Sequence, residues 1–255
     1  MAPMVEVIDV CKRFRIPEGR RETVRDHLFR LFRPRLFREL RVLDSVHLAV
    51  DAGEAFAIIG RNGCGKSTLL KVLCGIYPPD QGNVVVRAPS TPLLELGVGW
   101  NFELDATDNI LLIGTCMGMS LRQAKDSVGE ILAFAGLEAF ASLQLKHFSS
   151  GMAARLAYAT GFTAVQEVLI IDEIFAVGDA GFKARCGERF RKFHRKGHTL
   201  IVVSHDPRFV REFCTRGALM DQGRILFEGS AEEVVDGYLK LAAEDAAAPQ
   251  TPAQR

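Results

Sequence analysis

Gly60-Arg61-Asn62-Gly63-Cys64-Gly65-Lys66-Ser67-Thr68 completes the pattern G-x-x-x-x-G-K-[ST]. A phosphate chain needs several inward-pointing backbone N–H groups, and a glycine-rich turn lets the backbone curl tightly enough to supply them. In such a loop Lys66 sets an ammonium against the β- and γ-phosphates, and the Ser67 hydroxyl is placed to ligate Mg²⁺. The remaining loop residues Gly60, Asn62, Gly63, Cys64, Gly65 and Thr68 form the cradle. The flanks agree with this reading. Glu54-Ala55-Phe56-Ala57-Ile58-Ile59 reads as a buried strand feeding the loop, and Ser67-Thr68-Leu69-Leu70-Lys71-Val72-Leu73 reads as a helix whose N-terminus faces the phosphates. A chance glycine turn between strand and helix is the bland alternative, and it leaves the lysine and hydroxyl unexplained. The stretch implies a nucleoside triphosphate site.

Outward from the loop, 167–171 and 199–203 repeat the same short apolar run, as strands of a covered, mostly parallel sheet do. Between the first two strands lies a long region, about 90–165, with helical patterns such as Leu121-Arg122-Gln123-Ala124-Lys125-Asp126-Ser127-Val128. The expected fold class is therefore α/β, a nucleotide-binding core with an inserted helical subdomain. Residues 241–255 are rich in Ala, Pro, Gln and Thr and read as a flexible tail. No internal repeat is visible.

Composition bounds the setting. The 255 residues suffice to bury a substantial core, and a net charge of +1 gives no global attraction to nucleic acid or membrane. Six cysteines, none in C-x-x-C spacing and one inside the phosphate loop, argue against a disulfide frame or a zinc site and point to reducing cytosol. No apolar run approaches the roughly twenty residues of a membrane helix, because Val168-Leu169-Ile170-Ile171 runs into Asp172-Glu173.

Those two carboxylates close an apolar strand. Side chains alternate along a strand, so Asp172 and Glu173 divide the work. Asp172 suits the Mg²⁺ shell, and Glu173 suits polarising a water for in-line attack on the γ-phosphate. Alone, the pair would read as a solvated strand end; downstream of a phosphate loop it reads as catalytic. His205, just after the 199–203 strand, is placed by parallel topology near the loop, where its imidazole can donate to the γ-phosphate. The alternative is a satisfied loop histidine. Phe148-Ser149-Ser150-Gly151-Met152 precedes a helical stretch, and by itself Ser149 reads as a helix cap.

Taken in order, the phosphate loop, Ser149-Ser150-Gly151-Met152, Asp172-Glu173, Ala176-Val177-Gly178-Asp179 and Ser204-His205 resemble the ATP-binding subunit of an ABC transporter over about residues 1–240. The resemblance implies a P-loop NTPase of the RecA-like, ABC ATPase type, with ATP and Mg²⁺ as cofactors. It implies a homodimer in which Ser149, Ser150 and Gly151 of one copy close on ATP held by the loop of the other. Asp179 would link the two sites. Integral-membrane permease subunits would be partners at the cytoplasmic face of the inner membrane. Phe14 matches the aromatic that stacks on adenine in this family. Departures are visible too. Ser150 and Met152 replace the usual first glycine and glutamine of the signature, and no glutamine occurs in 92–104. Glu95 stands in there as the coupling and metal-site candidate beside Ser67 and Asp172.

Leu94-Glu95-Leu96-Gly97, with the signature and Ala176-Val177-Gly178-Asp179, is similar to the branch that exports lipid-linked polysaccharides and polyol phosphates: O-antigen, capsule and teichoic acid. Two alternatives stay open: an ABC ATPase for another solute, and a soluble ABC ATPase acting on ribosomes or nucleic acid. The second commonly carries two cassettes or a splitting coiled coil, and neither is present. A purely regulatory ATP-binding module would not need both Asp172 and Glu173. Ahead of the loop, residues 11–42 carry eleven Lys/Arg against four Asp/Glu. Val24, Leu28, Leu31 and Phe32 fall on one helical face, and Pro34 should kink or end that helix. This insert, about 18–42, reads either as a surface helix packed on the core or as a basic element at the membrane face that meets a lipid-linked glycan.

Overall fold

The apolar runs read from the sequence form β3 (Ala55–Gly60), β6 (Val168–Asp172) and β7 (Thr199–Val203), and every residue in them except Asp172 is buried. Continuous burial is what a strand covered on both faces requires, so these runs show no polar alternation. The structure is a computed structural model describing residues 2–17, 37–94, 99–172 and 179–247. The remaining elements are β1 (Val5–Pro17), β2 (Phe37–Val50), α1 (Lys66–Leu73), β4 (Gln81–Val86), β5 (Ser90–Leu93), α2 (Ala106–Cys116), α3 (Leu121–Ala135), α4 (Ser150–Thr163), α5 (Ala180–Arg195), α6 (Pro207–Phe213), β8 (Arg216–Asp221), β9 (Arg224–Ser230) and α7 (Ala231–Ala247).

Two sheets organise them. The larger has the order β5-β6-β7-β3-β8-β9, parallel except for β9, and the smaller is the antiparallel set β2-β1-β4. Alternation sends successive residues of the large sheet to opposite cores. Phe56, Ile58, Ile170 and Ile201 pack with α1 and the small sheet. Ala57, Ile59, Ile171 and Val202 pack with α5, α6 and α7. Each fully buried Ile, Val or Phe among them contributes roughly 1.5–3 kcal/mol. A third cluster, built on Ile110, Ile131, Leu132 and Leu156, joins α2, α3 and α4 into a helical layer. Helix α4 belongs to both layers, because Tyr158 and Phe162 on its other side reach the sheet core.

Three expectations need correction. Ser90–Leu93 is a sheet strand paired in parallel with β6, so the helical layer starts after it; its Leu93 is buried and fills the sheet core. The basic insert, expected over about 18–42, runs at its end into β2: Phe37 to Leu40 pair antiparallel with Pro17 back to Phe14, so residues 37–42 belong to the small sheet. Residues 18–36 lie outside the described residues. The tail does not begin at 241. Helix α7 continues to Ala247, with Leu241 packed against the sheet core. The Leu-Ala-Ala-Glu run is strong helix former once one side has a surface to lie on.

Candidate functional site

Parallel pairing brings the carboxyl ends of three strands together. Ile58 is in register with Val203, and Val203 with Asp172. Gly60, Asp172 and Ser204-His205 therefore leave adjacent strands at the same edge, the crevice where open α/β sheets take ligands. Asp172 is half-buried as the last residue of β6, and His205 is exposed, one residue ahead of the Asp206 that caps α6.

The loop between β3 and α1 is shaped by close approach. A Cβ on Gly60 would stand 2.0 Å from the Met220 carbonyl oxygen, so only glycine fits against β8. Gly65 adopts φ 111°, a left-handed conformation that side chains resist. A Cβ there would also meet the Val42 carbonyl at 2.8 Å. The rear of the loop is stapled by backbone: Gly223 N–H donates to the Cys64 carbonyl at 2.9 Å, and Asp44 N–H to the Gly223 carbonyl at 2.9 Å. Cys64 is buried, and burial pushes its thiol pKa up. It is packing and not a nucleophile.

Helix α1 starts at Lys66 with no side-chain cap and no acidic residue in its first turn. Its first N–H groups, which have no intrahelical acceptors, are left for an anion. Lys66 is only 5% exposed, and its ammonium donates to the carbonyls of Gly60 and Arg61, both at 2.8 Å. Asn62, Gly63 and Ser67 are exposed and Thr68 is half-buried. No side chain crowds Gly63, where an added Cβ would meet nothing within 4 Å. An uncapped helix start, an open cradle and a lysine beside it fit a triphosphate. The hydroxyl of Ser67 and the carboxylate of Asp172 are hard oxygen donors of the kind Mg²⁺ takes.

Other sequence candidates lie apart. Ser149 is exposed and caps α4, accepting from the Met152 N–H at 3.2 Å; Ser150 and Gly151 are exposed beside it. Among the described residues no hydrogen bond or ion pair joins 149–151 to 60–68. Asp179 is exposed and caps α5, accepting from the Phe182 N–H at 2.8 Å. That backbone hydrogen bond, helped by the charges of Arg155 and Arg185, holds the Asp179 carboxyl below its usual pKa. A lowered value means the charged cap is present at neutral pH and is lost only as acid carries the pH down through it. Phe14 is half-exposed, edge-on to Tyr77 with ring centroids 5.4 Å apart. The Lys12 ammonium lies 5.7 Å from the Phe14 centroid and is fixed by Asp80 and the Pro78 carbonyl. Glu173 and Glu95 lie outside the described residues.

Sequence reasoning missed Arg61, Tyr77 and the β8–β9 turn that braces the loop. Asp221-Gln222-Gly223 carries a turn signal, but nothing local says that this turn backs the phosphate loop.

Comparison with known proteins agrees with this geometry. The family model described as ABC transporter matches residues 43–176. The O-antigen export system ATP-binding protein RfbB of Klebsiella pneumoniae is 33% identical over 241 residues, covering 93% of this chain and 98% of the relative. The ABC transporter protein AbcA of Aeromonas salmonicida is 40% identical over 201 residues; the match takes in 79% of this chain but only 65% of that protein. Among solved structures, a dimeric ATP-binding cassette in a post-hydrolysis state with ADP and Pi superposes with a TM-score of 0.72 at 21% identity, covering 89% of this chain and 99% of the other. Strand order, phosphate loop and family match converge: this chain belongs to the ABC transporter family, as one of its ATP-hydrolysing subunits.

Proposed function

We propose that this chain supplies the ATP-driven step in export of a lipid-linked polysaccharide, O-antigen-like or capsule-like, across the inner membrane. The observation that carries this reading is the near full-length similarity to the Klebsiella O-antigen export protein, 98% of which is covered. Integral-membrane permease subunits are the partners, and the chain sits peripherally at the cytoplasmic face. No described helix is long and apolar enough to cross a membrane itself. Deleting the protein should leave a lipid-linked polymer accumulating inside the cell. Normal export with some other solute mislocalised would overturn the cargo and leave the ATPase.

The reaction is positioning and charge neutralisation. The α1 N–H groups and Lys66 bind the triphosphate, and Glu173 orients and deprotonates the attacking water. His205 donates to the γ-phosphate. Ser67 and Asp172 would hold Mg²⁺, with Glu95 a further candidate; when bound, the ion would supply charge compensation on the phosphate oxygens. Phe14 offers a π-face to adenine. Two copies arranged head to tail complete each site, with Ser149, Ser150 and Gly151 of one facing ATP on the other and Asp179 joining the two.

Ser149 gives a discriminating test. Asp caps helices as well as Ser, so Ser149→Asp should keep α4 and its melting temperature. Its negative charge would face the γ-phosphate, so ATP-driven dimerisation and hydrolysis should fall together. Wild-type hydrolysis in that variant would reduce Ser149 to a cap.

The basic insert is the proposed contact with the glycan's diphosphate or the membrane surface. Reversing the charge of Arg30, Arg33 and Arg35 should reduce export while sparing ATP binding. Unchanged export would remove this role.

A further inference from the structure

Arg61 occupies a free position of the phosphate-loop pattern, yet its side chain is tied to the far end of the chain. Its Nη2 donates to the Leu241 carbonyl of α7 at 2.9 Å, and Nη1 lies 3.6 Å from the Asp221 carboxylate at the end of β8. Both anchors are firm. The Asp221 side chain is 13% exposed, and α7 is held by fully buried Val234 and Val235. At the same time the Arg61 backbone carbonyl accepts from the Lys66 ammonium at 2.8 Å. One residue thus holds the phosphate-binding lysine with its backbone and the C-terminal helix with its guanidinium. A triphosphate draws the Lys66 ammonium toward its own oxygens. The backbone at Gly60 and Arg61 then loses a donor that had fixed it.

We infer that Arg61 is a positioning residue that couples the phosphate loop to the last turns of α7. Held by α7 and Asp221, it keeps the loop shaped for nucleotide; loaded with nucleotide, the loop changes how firmly α7 is held. The two effects are one coupling and are reciprocal. A planar fork with two separated nitrogens is needed to reach a carbonyl and a carboxylate together, which a lysine's single ammonium does not reproduce. The inference rests on the loop being the ATP site.

Hydrogen exchange of the full chain, with and without a non-hydrolysable ATP analogue, tests it. In the wild type the analogue should slow exchange across 60–70 and shift exchange at 238–247 by about fivefold. In Arg61→Met a saturating concentration of the analogue should still protect 60–70, though more analogue is needed to reach it, and the response at 238–247 should vanish. If Arg61→Met loses the loop protection, Arg61→Lys takes its place with the same two outcomes. No response at 238–247 in the wild type, or one that survives loss of the guanidinium, overturns the coupling. Absence of any protection at 60–70 in the wild type would instead overturn the nucleotide site itself.

Discussion

Glu173→Gln should stop ATP turnover while leaving ATP affinity close to wild type. The expected loss in kcat is about 10²–10⁴-fold, the range for removing a general base. The amide matches the carboxylate in shape but does not accept the water's proton. Its neighbour Asp172 ends β6 in register with Val203 of β7, at the same edge as the loop that follows Gly60. The variant should therefore still bind ATP and accumulate as a nucleotide-bound dimer, seen as a shift in size-exclusion elution that depends on ATP. Full hydrolysis by this variant would dismiss Glu173 as the base.

Lys66→Met should be as damaging for a different reason. Lys66 is buried, in a low-dielectric site where a charge aimed at phosphate is worth far more than in water. Removing one such donor costs about 10²–10³-fold in rate. Unlike Glu173→Gln, this change should also weaken ATP binding, because in the proposed mechanism Lys66 meets the β- and γ-phosphates already in the ground state. It leaves the carbonyls of Gly60 and Arg61 without their shared donor, a penalty of about 1–3 kcal/mol if water does not replace it. Melting curves separate that cost from the loss of rate. Wild-type affinity and turnover would remove Lys66 from the site.

Much of the core was legible because it is written locally. The runs at 54–59, 167–171 and 199–203 became β3, β6 and β7 with shifts of about one residue at their ends, within the usual scatter. Ser120 with Gln123 closes a capping box ahead of α3, so that helix also announces itself. Misreadings fell where distant partners decide. Phe37 to Arg41 share the basic composition of the insert before them, but β1 lies alongside and takes their backbone hydrogen bonds. Leu241 looked like the start of a loose tail, but it has a core to pack against and an arginine to accept from.

Nine consecutive residues, by themselves, carry the reading of a phosphate cradle, since the N–H groups, the ammonium and the hydroxyl all come from one turn and the first turn of one helix. Only the tertiary structure decided that Gly60 has no room for a side chain because of Met220, that the β8–β9 turn backs the loop, and that Arg61 reaches α7. The physical reason is that strand order and close approach are set by the packing of whole layers. No window of sequence contains both partners of such a contact.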